Sequence, residues 1–348
     1  MGIIPFVKIK AKDNYDFGYK LGSALKKRIQ NRLRDNKELY RKKAVKPKEF
    51  SFYISKAKKF LPSIKKHFPN LLDEAKGMAD GADIPFEELF VVMVDEEIID
   101  FKILHCLSIG LKTKNNQLLL GNNEDWFPEY RNNGLALVKG EIKSNKFLGL
   151  GYMGYLTGSA CGFNKYGIAY TDNSFVLDNI IYGVPRSFQL RALLDVKTPK
   201  EAIKTLDKKG SVGSNTMILH PRGIMSIEEY PNHHETYESK ELLIHTNHPL
   251  SVTSQTKKNT LQESVLRFVR AKEIIAKEKT FSVDTLKKVF RDHENSRRYM
   301  AGICEHPQKK YKNATVATIA SVILNPKDKW MLLCDTNPCK GTYKKYKL

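Results

Sequence analysis

The chain has 348 residues, 41% of them hydrophobic, which is enough for one large domain or two ordinary ones with a sizeable core. Its five cysteines are odd in number, which argues against a disulfide framework, and no stretch approaches the roughly 18 apolar residues of a membrane span. The first residues also lack the apolar core of a signal peptide, so we expect a soluble, cytoplasmic protein.

The formal net charge of +21 is concentrated near the start of the chain. Between Lys20 and Lys66 there are 17 Lys or Arg residues and 3 Asp or Glu residues. Such a segment could contact nucleic acid or an anionic membrane surface. A solvated face on N-terminal helices is the simpler interpretation, and no interleaved aromatic surface for stacking on bases is evident. Nucleic acid is therefore not the expected partner.

Residues 15–100 are predicted to be mostly helical. An apolar residue recurs every four positions in the first part, with Lys and Arg between, which indicates one apolar stripe on a basic helix. This stripe consists of Leu21, Leu25, Ile29 and Leu33. A second amphipathic stretch covers residues 50–66.

Two further helices are predicted before residue 100. Residues 70–77 have the pattern of a helix that ends at Gly77. Asp83 is the candidate N-cap of the next helix, with Pro85 near its first turn. The apolar run at residues 89–94 is then expected to be a buried helical segment.

From about residue 101, short β-prone runs separated by Gly and Asn replace the helical pattern. The predicted strands are residues 117–120, 135–138, 147–152, 167–171, 216–219, 225–229, 242–246, 315–324 and 329–334, the last two joined by a hairpin at 325–328. Helices are predicted at residues 188–194, 199–208 and 262–291. A helical leader followed by a mixed body rich in antiparallel strands predicts an α+β fold.

Cys106 enters a predicted strand, and Gly121-Asn-Asn-Glu-Asp-Trp126 closes the next one. This order can place a thiol beside the carboxylate of Asp125 and beside amide dipoles. Taken alone, a cysteine among apolar residues is typical of a core position, and Asp125 could be an ordinary turn residue. Their combination favours a nucleophilic site.

A cysteine at the start of a chain has a base of its own. An internal thiol has a pKa near about 8.5 and is little ionised at neutral pH, whereas a terminal α-amine has a pKa near about 8 and can accept the proton of the thiol. We predict that the thiol of Cys106 attacks the carbonyl group of His105 and that water opens the resulting thioester. The cleavage site is then the bond between His105 and Cys106. The His105 side chain is not the base, because neighbouring side chains on a strand point to opposite faces.

Three more polar residues are candidates for the site. Asn247 follows a predicted strand and could donate to a developing oxyanion, an interaction worth about 3 kcal/mol in other systems. Asn173, at the end of another predicted strand, is the candidate second donor. Arg267 lies one helical turn from Ser264 and could bridge acidic groups. A turn asparagine before a proline and a solvated helix arginine are the simpler interpretations of Asn247 and Arg267.

No metal or cofactor is predicted. Four histidines lie near one another with spacing that resembles a metal site, but no strand or helix obviously brings a further ligand. They are His233, His234, His245 and His248. Cys334 and Cys339 do not have the spacing of a CxxC site.

In order and spacing, these residues resemble the acyl-coenzyme A:6-aminopenicillanic acid acyltransferase family, a branch of the N-terminal nucleophile (Ntn) hydrolases. The match covers nearly the whole chain. Its motifs are Gly18-Tyr-Lys-Leu-Gly22, residues 72–82, Cys106, Gly121-Asn-Asn-Glu-Asp-Trp126, Thr246-Asn-His248, Ser264-x-x-Arg267, Asp292-His293, Ile303-Cys304-Glu-His306, Trp330 and Pro338-Cys339.

The resemblance implies a four-layer αββα sandwich in which residues 1–105 are a helical leader and residues 106–348 form the catalytic domain. It also implies Cys106 as the nucleophile, Asp125 and Arg267 as organisers of the site, and Asn247 as the oxyanion donor. Bile-salt and penicillin V hydrolases are similar more distantly.

We therefore expect a self-processing cysteine amidase or acyltransferase that acts on a linear amide through a thioester, with water or an amine as acyl acceptor. Its expected partners are a small-molecule amide or acyl donor and its own leader fragment, and a homo-oligomer remains open. One alternative is a peptidase or a bile-salt or penicillin V hydrolase-like amidase of the same superfamily. The other is a non-enzymatic binding protein that uses the basic leader. The sequence does not identify the acyl chain or the acceptor.

Overall fold

The structure is a computed structural model. It describes residues 4–44, 46–99, 105–131, 133–175, 181–208, 210–230, 233–251, 262–295, 302–307 and 316–348. Within these residues, no helix combines the length and the apolar content needed to cross a membrane.

Helices dominate the first hundred residues, as predicted. They are α1 (Asn14–Lys43), α2 (Phe50–Ala57), α3 (Leu61–His67), α4 (Pro69–Ala82), α5 (Phe86–Met93) and α6 (Asp95–Ile98), with a 3-10 turn at Lys58–Phe60. The side chain of Asp13 caps α1 by accepting a hydrogen bond from the backbone nitrogen of Asp16 at 2.8 Å. The predicted apolar stripe of α1 is buried.

The packing of α1 against α4 explains two wrong helix boundaries. A Cβ atom at Gly77 would overlap the carbonyl oxygen of Tyr15. Gly77 therefore permits close helix contact instead of ending the helix, and α4 continues to Ala82. Asp83 has a φ of 55° and is the C-cap of α4, whereas Pro85 is the N-cap of α5.

The leader also contributes a strand, which the sequence analysis did not predict. Strand β1 (Phe6–Ala11) pairs in parallel with β4 (Leu135–Ile142) at the edge of a sheet. Because α1 and β1 share one hydrophobic core with the later strands, residues before and after Cys106 fold as one body. The division into a leader and a catalytic domain at residue 105 stays a prediction.

Two sheets form the centre of the molecule. The first, sheet A, has the order β1-β4-β5-β6-β7-β8-β9-β10, with β5 (Asn145–Tyr152), β6 (Cys161–Asn164), β7 (Ala169–Phe175), β8 (Gly213–His220), β9 (Gly223–Glu229) and β10 (His234–Ser239). The second, sheet B, has the order β11-β2-β3-β12-β13-β14, with β2 (His105–Lys112), β3 (Leu118–Trp126), β11 (Leu242–His245), β12 (Ala317–Asn325), β13 (Trp330–Cys334) and β14 (Lys344–Lys347). The predicted strands all lie within or overlap these; β6, β10 and β14 were not predicted.

The sheets pack face to face. The hydroxyl groups of Ser108 in β2 and Thr171 in β7 are 2.8 Å apart. Nearby, a Cβ atom at Gly110 would lie 2.5 Å from Ile224 of β9. Only glycine at position 110 thus allows this contact between the sheets.

Helices cover both outer faces. The remaining helices are α7 (Arg186–Leu193), α8 (Pro199–Leu206), α9 (Gln262–Ala276) and α10 (Val283–Phe290), with a 3-10 turn at Pro128–Arg131. Phe17 of α1 packs on Phe147 of sheet A, and Phe290 of α10 packs on Gly121 of sheet B. The predicted helical block at 262–291 is two helices, α9 and α10. The architecture is the predicted four-layer αββα sandwich.

Candidate active site

Cys106 lies near the start of β2, between β3 and β11. It is directly opposite Glu124 in β3, while the backbone of His105 is opposite Asp125. The Gly121–Trp126 motif therefore continues the strand and is not a turn. The Cys106 Sγ atom is 4.0 Å from the carbonyl oxygen of Asp125. Burial raises the pKa of the Cys106 thiol, and Glu124 and Asp125 raise it further, so this thiol is protonated while its nitrogen is part of a peptide bond.

Two predicted site residues hold the backbone of Cys106. Its nitrogen donates to Asn247 Oδ1 at 2.6 Å, and its carbonyl oxygen accepts from Arg267 Nη1 at 2.5 Å. Arg267 Nη2 also donates to Asn247 Oδ1, at 3.0 Å. Two donors meet the same side-chain atom, which identifies it as the oxygen of the amide. The Asn247 Nδ2 atom donates to the carbonyl oxygen of Ser174 at 2.8 Å.

Ser264 fixes the loop that carries Asn247. Its hydroxyl group accepts a hydrogen bond from the backbone nitrogen of Asn247 at 2.7 Å and lies 2.8 Å from His248 Nδ1. Burial lowers the pKa of His248 to about 4, so its imidazole is neutral at physiological pH. Ser264 and Arg267 lie one turn apart on α9, and this spacing lets one helix hold both Asn247 and Cys106.

Asp125 is buried opposite Thr318 of β12. Burial raises the pKa of its carboxyl group, and Arg267 and a hydrogen bond with Thr318 partly oppose this effect. Its Oδ1 atom has no hydrogen-bond partner among the described residues. Asp125 therefore offers a vacant acceptor, and its charge acts on the Cys106 thiol.

Asn173 is fully buried in β7, next to Ser174. Neither polar atom of its side chain has a hydrogen-bond partner within the described part of the chain. An unpaired buried amide costs folding free energy, so it is a candidate for contact with a ligand. Unlike Asn247 and Arg267, it makes no direct hydrogen bond to Cys106.

A group of buried acids surrounds the site and was missed by the sequence analysis. Tyr152 donates a hydrogen bond to Glu124, and burial raises the pKa of Glu124 to about 7. Arg186 lies 3.1 Å from Asp172 and 2.9 Å from Glu96. Little in the sequence indicated this group, because its residues come from five separate segments. Only Glu124 lies inside a motif that the sequence analysis identified.

The sequence analysis considered the histidines near residue 240 as a metal site and predicted that they bind no metal. His245 contacts Glu228 at 2.9 Å and His248 contacts Ser264, so both have protein partners. In the described residues a different group, His293, His306 and Cys339, has ligand atoms within 4.8 Å of one another. Its members are distant in sequence, so spacing could not reveal it.

The structure is a four-layer αββα sandwich with a buried cysteine at the start of a central strand. The chain belongs to the acyl-coenzyme A:6-aminopenicillanic acid acyl-transferase family, whose profile matches residues 111–340. The matched segment contains Asp125, Asn247 and Arg267 and begins just after Cys106.

Known proteins with similar sequence or structure carry the names of amide hydrolases. The beta-alanyl-dopamine/carcinine hydrolase of Drosophila melanogaster is 29% identical over 221 residues, which are 57% of this chain and 56% of that protein. The match thus spans little more than half of that relative. A Caenorhabditis elegans N-acylethanolamine-hydrolyzing acid amidase ortholog has a TM-score of 0.45 and 14% identity, covering 70% of this chain and 100% of that one. Penicillin V acylase from Agrobacterium tumefaciens has a TM-score of 0.44 and 14% identity, covering 66% and 83%.

Proposed function

We propose that this protein is a self-processing amidase or acyltransferase whose nucleophile is the thiol of Cys106. The observation that carries the proposal is the 2.6 Å hydrogen bond from the Cys106 nitrogen to Asn247 Oδ1. The atom that would become the α-amine is already held in place by the protein. Arg267, which contacts both Asn247 and the Cys106 carbonyl group, keeps this geometry fixed.

Self-processing would begin with attack of the Cys106 sulfur on the carbonyl carbon of His105. The C–N bond between the two residues breaks as a C–S bond forms, and the thiol proton passes to the departing nitrogen. Water then attacks the thioester, which leaves a carboxylate on His105 and restores the thiol of Cys106. The products are residues 1–105 and a chain that begins with a free amine at Cys106.

The free amine would then act as the base in turnover. It accepts the thiol proton as sulfur attacks the amide carbon of the substrate, and it returns this proton to the departing amine. Water or another amine next attacks the thioester, giving a carboxylic acid or a new amide. Asp125 is suited to receive the α-ammonium group, because its Oδ1 atom lacks a hydrogen-bond partner among the described residues.

The oxyanion of the tetrahedral intermediate needs a donor. The amide nitrogen of Asn247 is engaged with Ser174, whereas that of Asn173 has no partner in the described residues. We assign the oxyanion contact to Asn173 and the anchoring of the Cys106 amine to Asn247. The sequence analysis instead assigned the oxyanion contact to Asn247 and treated Asn173 as a second donor.

The substrate class that fits best is an amide with a positively charged acyl group. The chain as a whole carries a net charge of +21, yet two acids, Glu124 and Asp125, act on Cys106 alongside Arg267. Glu124, directly across the strand pair from Cys106, is buried and forms no ion pair within the described part of the chain. An ammonium group near it would restore the stability of its ionised form. A β-alanyl amide, the substrate named for the Drosophila relative, carries such a group.

Intact mass spectrometry and gel electrophoresis of purified protein test the proposal. We expect two associated fragments, 1–105 and 106–348, and a single chain for Cys106→Ala. Cys161→Ala, which removes another buried thiol, is the matched control and should be cleaved normally. The cleaved protein should hydrolyse a β-alanyl amide and form the corresponding acid.

A wild-type chain that stays whole and yet hydrolyses amides would overturn the self-processing step. Cleavage at a different bond would do the same. Cleavage at residue 105 without turnover of any amide in a broad panel would overturn the assignment as an amidase.

A further inference from the structure

Two thiols and two imidazoles converge at a place distinct from the Cys106 site. His293 follows α10, Cys304 and His306 lie in the segment before β12, and Cys339 follows β13. Cys304 is buried, and Cys339 is partly exposed. Two thiols and two imidazoles are a typical ligand set of structural zinc sites.

Three of these side chains form one compact group, and Cys304 adjoins it through His306. The ligand atoms of His293, His306 and Cys339 all lie within 4.8 Å of one another. His306 Nε2 is 3.2 Å from Cys339 Sγ and 3.7 Å from Cys304 Sγ. With Zn–S bonds of about 2.3 Å and Zn–N bonds of about 2.0 Å, neighbouring ligand atoms are roughly 3.5 Å apart.

We propose that His293, Cys304, His306 and Cys339 bind one zinc ion in a structural site. Both thiols lose their protons to solvent on binding, and the two thiolates neutralise the ion. A neutral site is compatible with the nearby positive charges of Arg131 and Lys340. Cys304 also accepts a hydrogen bond from Asn337 Nδ2 at 3.4 Å, as metal-bound thiolates commonly do.

The zinc ion would stabilise the segments that support Asp125. The backbone nitrogen of Glu305, between Cys304 and His306, donates to the Thr318 hydroxyl group at 2.8 Å. Thr318 is the cross-strand partner of Asp125. Asn337, close to Cys339, donates to the carbonyl oxygen of Glu305 at 2.7 Å. A metal that joins residues 304, 306 and 339 would therefore hold the support of Asp125 in place.

Metal analysis of the wild-type protein tests this proposal. Protein expressed without a metal-affinity tag and dialysed against metal-free buffer should retain about one zinc per chain. After removal of zinc with a chelator, added Co²⁺ should produce a thiolate-to-cobalt charge-transfer band and the visible bands of tetrahedral coordination. Both measurements use the wild-type protein, so they do not depend on whether a variant folds.

Variants identify the ligands. Cys304→Ser and Cys339→Ser should each lose the zinc and the charge-transfer band. Cys334→Ser, which changes a nearby cysteine whose sulfur contacts the Thr336 carbonyl group instead, should keep both. The proposal is overturned if wild-type protein binds neither ion, if Cys304 and Cys339 form a disulfide in native protein, or if the double variant Cys304→Ser/Cys339→Ser retains the metal.

Discussion

The backbone nitrogen of Cys106 lies 2.6 Å from the side-chain oxygen of Asn247, 141 residues later in the chain. Arg267 donates to the same oxygen and to the Cys106 carbonyl group. One amide oxygen thus connects the start of β2, the loop after β11 and helix α9. This contact fixes the nitrogen that the proposed reaction uses first as a leaving group and then as a base.

Asn247→Leu removes this acceptor with little change in volume. The Cys106 nitrogen and one Arg267 N–H group lose their partner in a buried place, which costs about 1–3 kcal/mol for each unpaired group. We expect self-cleavage at residue 105 to slow by at least about 100-fold, measured as the fraction of intact chain over time on gels. Asn145→Leu, which removes a part-buried amide bonded to Leu194 and Asp195, is the control. Equal cleavage rates for wild type and Asn247→Leu would remove this residue from the mechanism.

Asp125→Asn tests the proposed receiver of the α-ammonium group. The substitution preserves shape and removes the negative charge, so we expect turnover of an amide substrate to fall by orders of magnitude while circular dichroism stays unchanged. Because the buried carboxyl group has a raised pKa, the uncleaved chain should tolerate the neutral amide well.

The control for Asp125 is Asp83→Asn, an exposed aspartate in a left-handed conformation that asparagine also adopts. It should leave turnover unchanged. Wild-type rates in cleaved Asp125→Asn would mean that the free amine needs no carboxylate partner.

The sequence could predict those parts of the site that lie on adjacent elements. Cys106 and Asp125 belong to consecutive strands, and Ser264 and Arg267 lie one turn apart, so local spacing indicated each pair. Glu124, Asp172 and Arg186 meet only because sheets A and B pack face to face, and no local pattern contains that information. Gly77 was misinterpreted for a similar reason, because a glycine that ends a helix and one that contacts another helix look alike in sequence.

Glu124→Gln tests the choice of a charged acyl group. The variant can still accept the Tyr152 hydrogen bond but loses the negative charge. We expect kcat/KM for a β-alanyl amide to fall on the order of 10- to 100-fold. This factor corresponds to the free energy that a hydrogen bond to a charged group contributes. The matching butyryl amide, which replaces the ammonium group by a methyl group, should be hydrolysed at a similar rate by both proteins.

The same comparison has a pH dependence. Glu124 has a pKa raised to about 7 by burial, so its ionised fraction falls as the pH drops below 7. The ratio of kcat/KM for the β-alanyl amide to that for the butyryl amide should therefore decrease with falling pH. This ratio cancels the titration of the Cys106 amine, which affects both substrates. A ratio that is constant with pH, or unchanged in Glu124→Gln, would contradict the role of Glu124.

Gly18→Ala and Gly77→Ala test the contact between α1 and α4. A Cβ atom at Gly18 would overlap the Glu74 carbonyl oxygen, and one at Gly77 would overlap that of Tyr15. Backbone atoms cannot rotate away, so the helices would have to separate. Alanine favours a helix over glycine by about 1 kcal/mol, but we expect the overpacking to dominate and to lower the free energy of unfolding by about 2 kcal/mol. Urea unfolding measures this free energy.

Gly210→Ala is the control, because the nearest atom to its added Cβ would be 3.4 Å away in the Gln189 side chain. This variant should change the free energy of unfolding little. Equal stability of all three variants would mean that α1 and α4 are less tightly packed than the structure indicates.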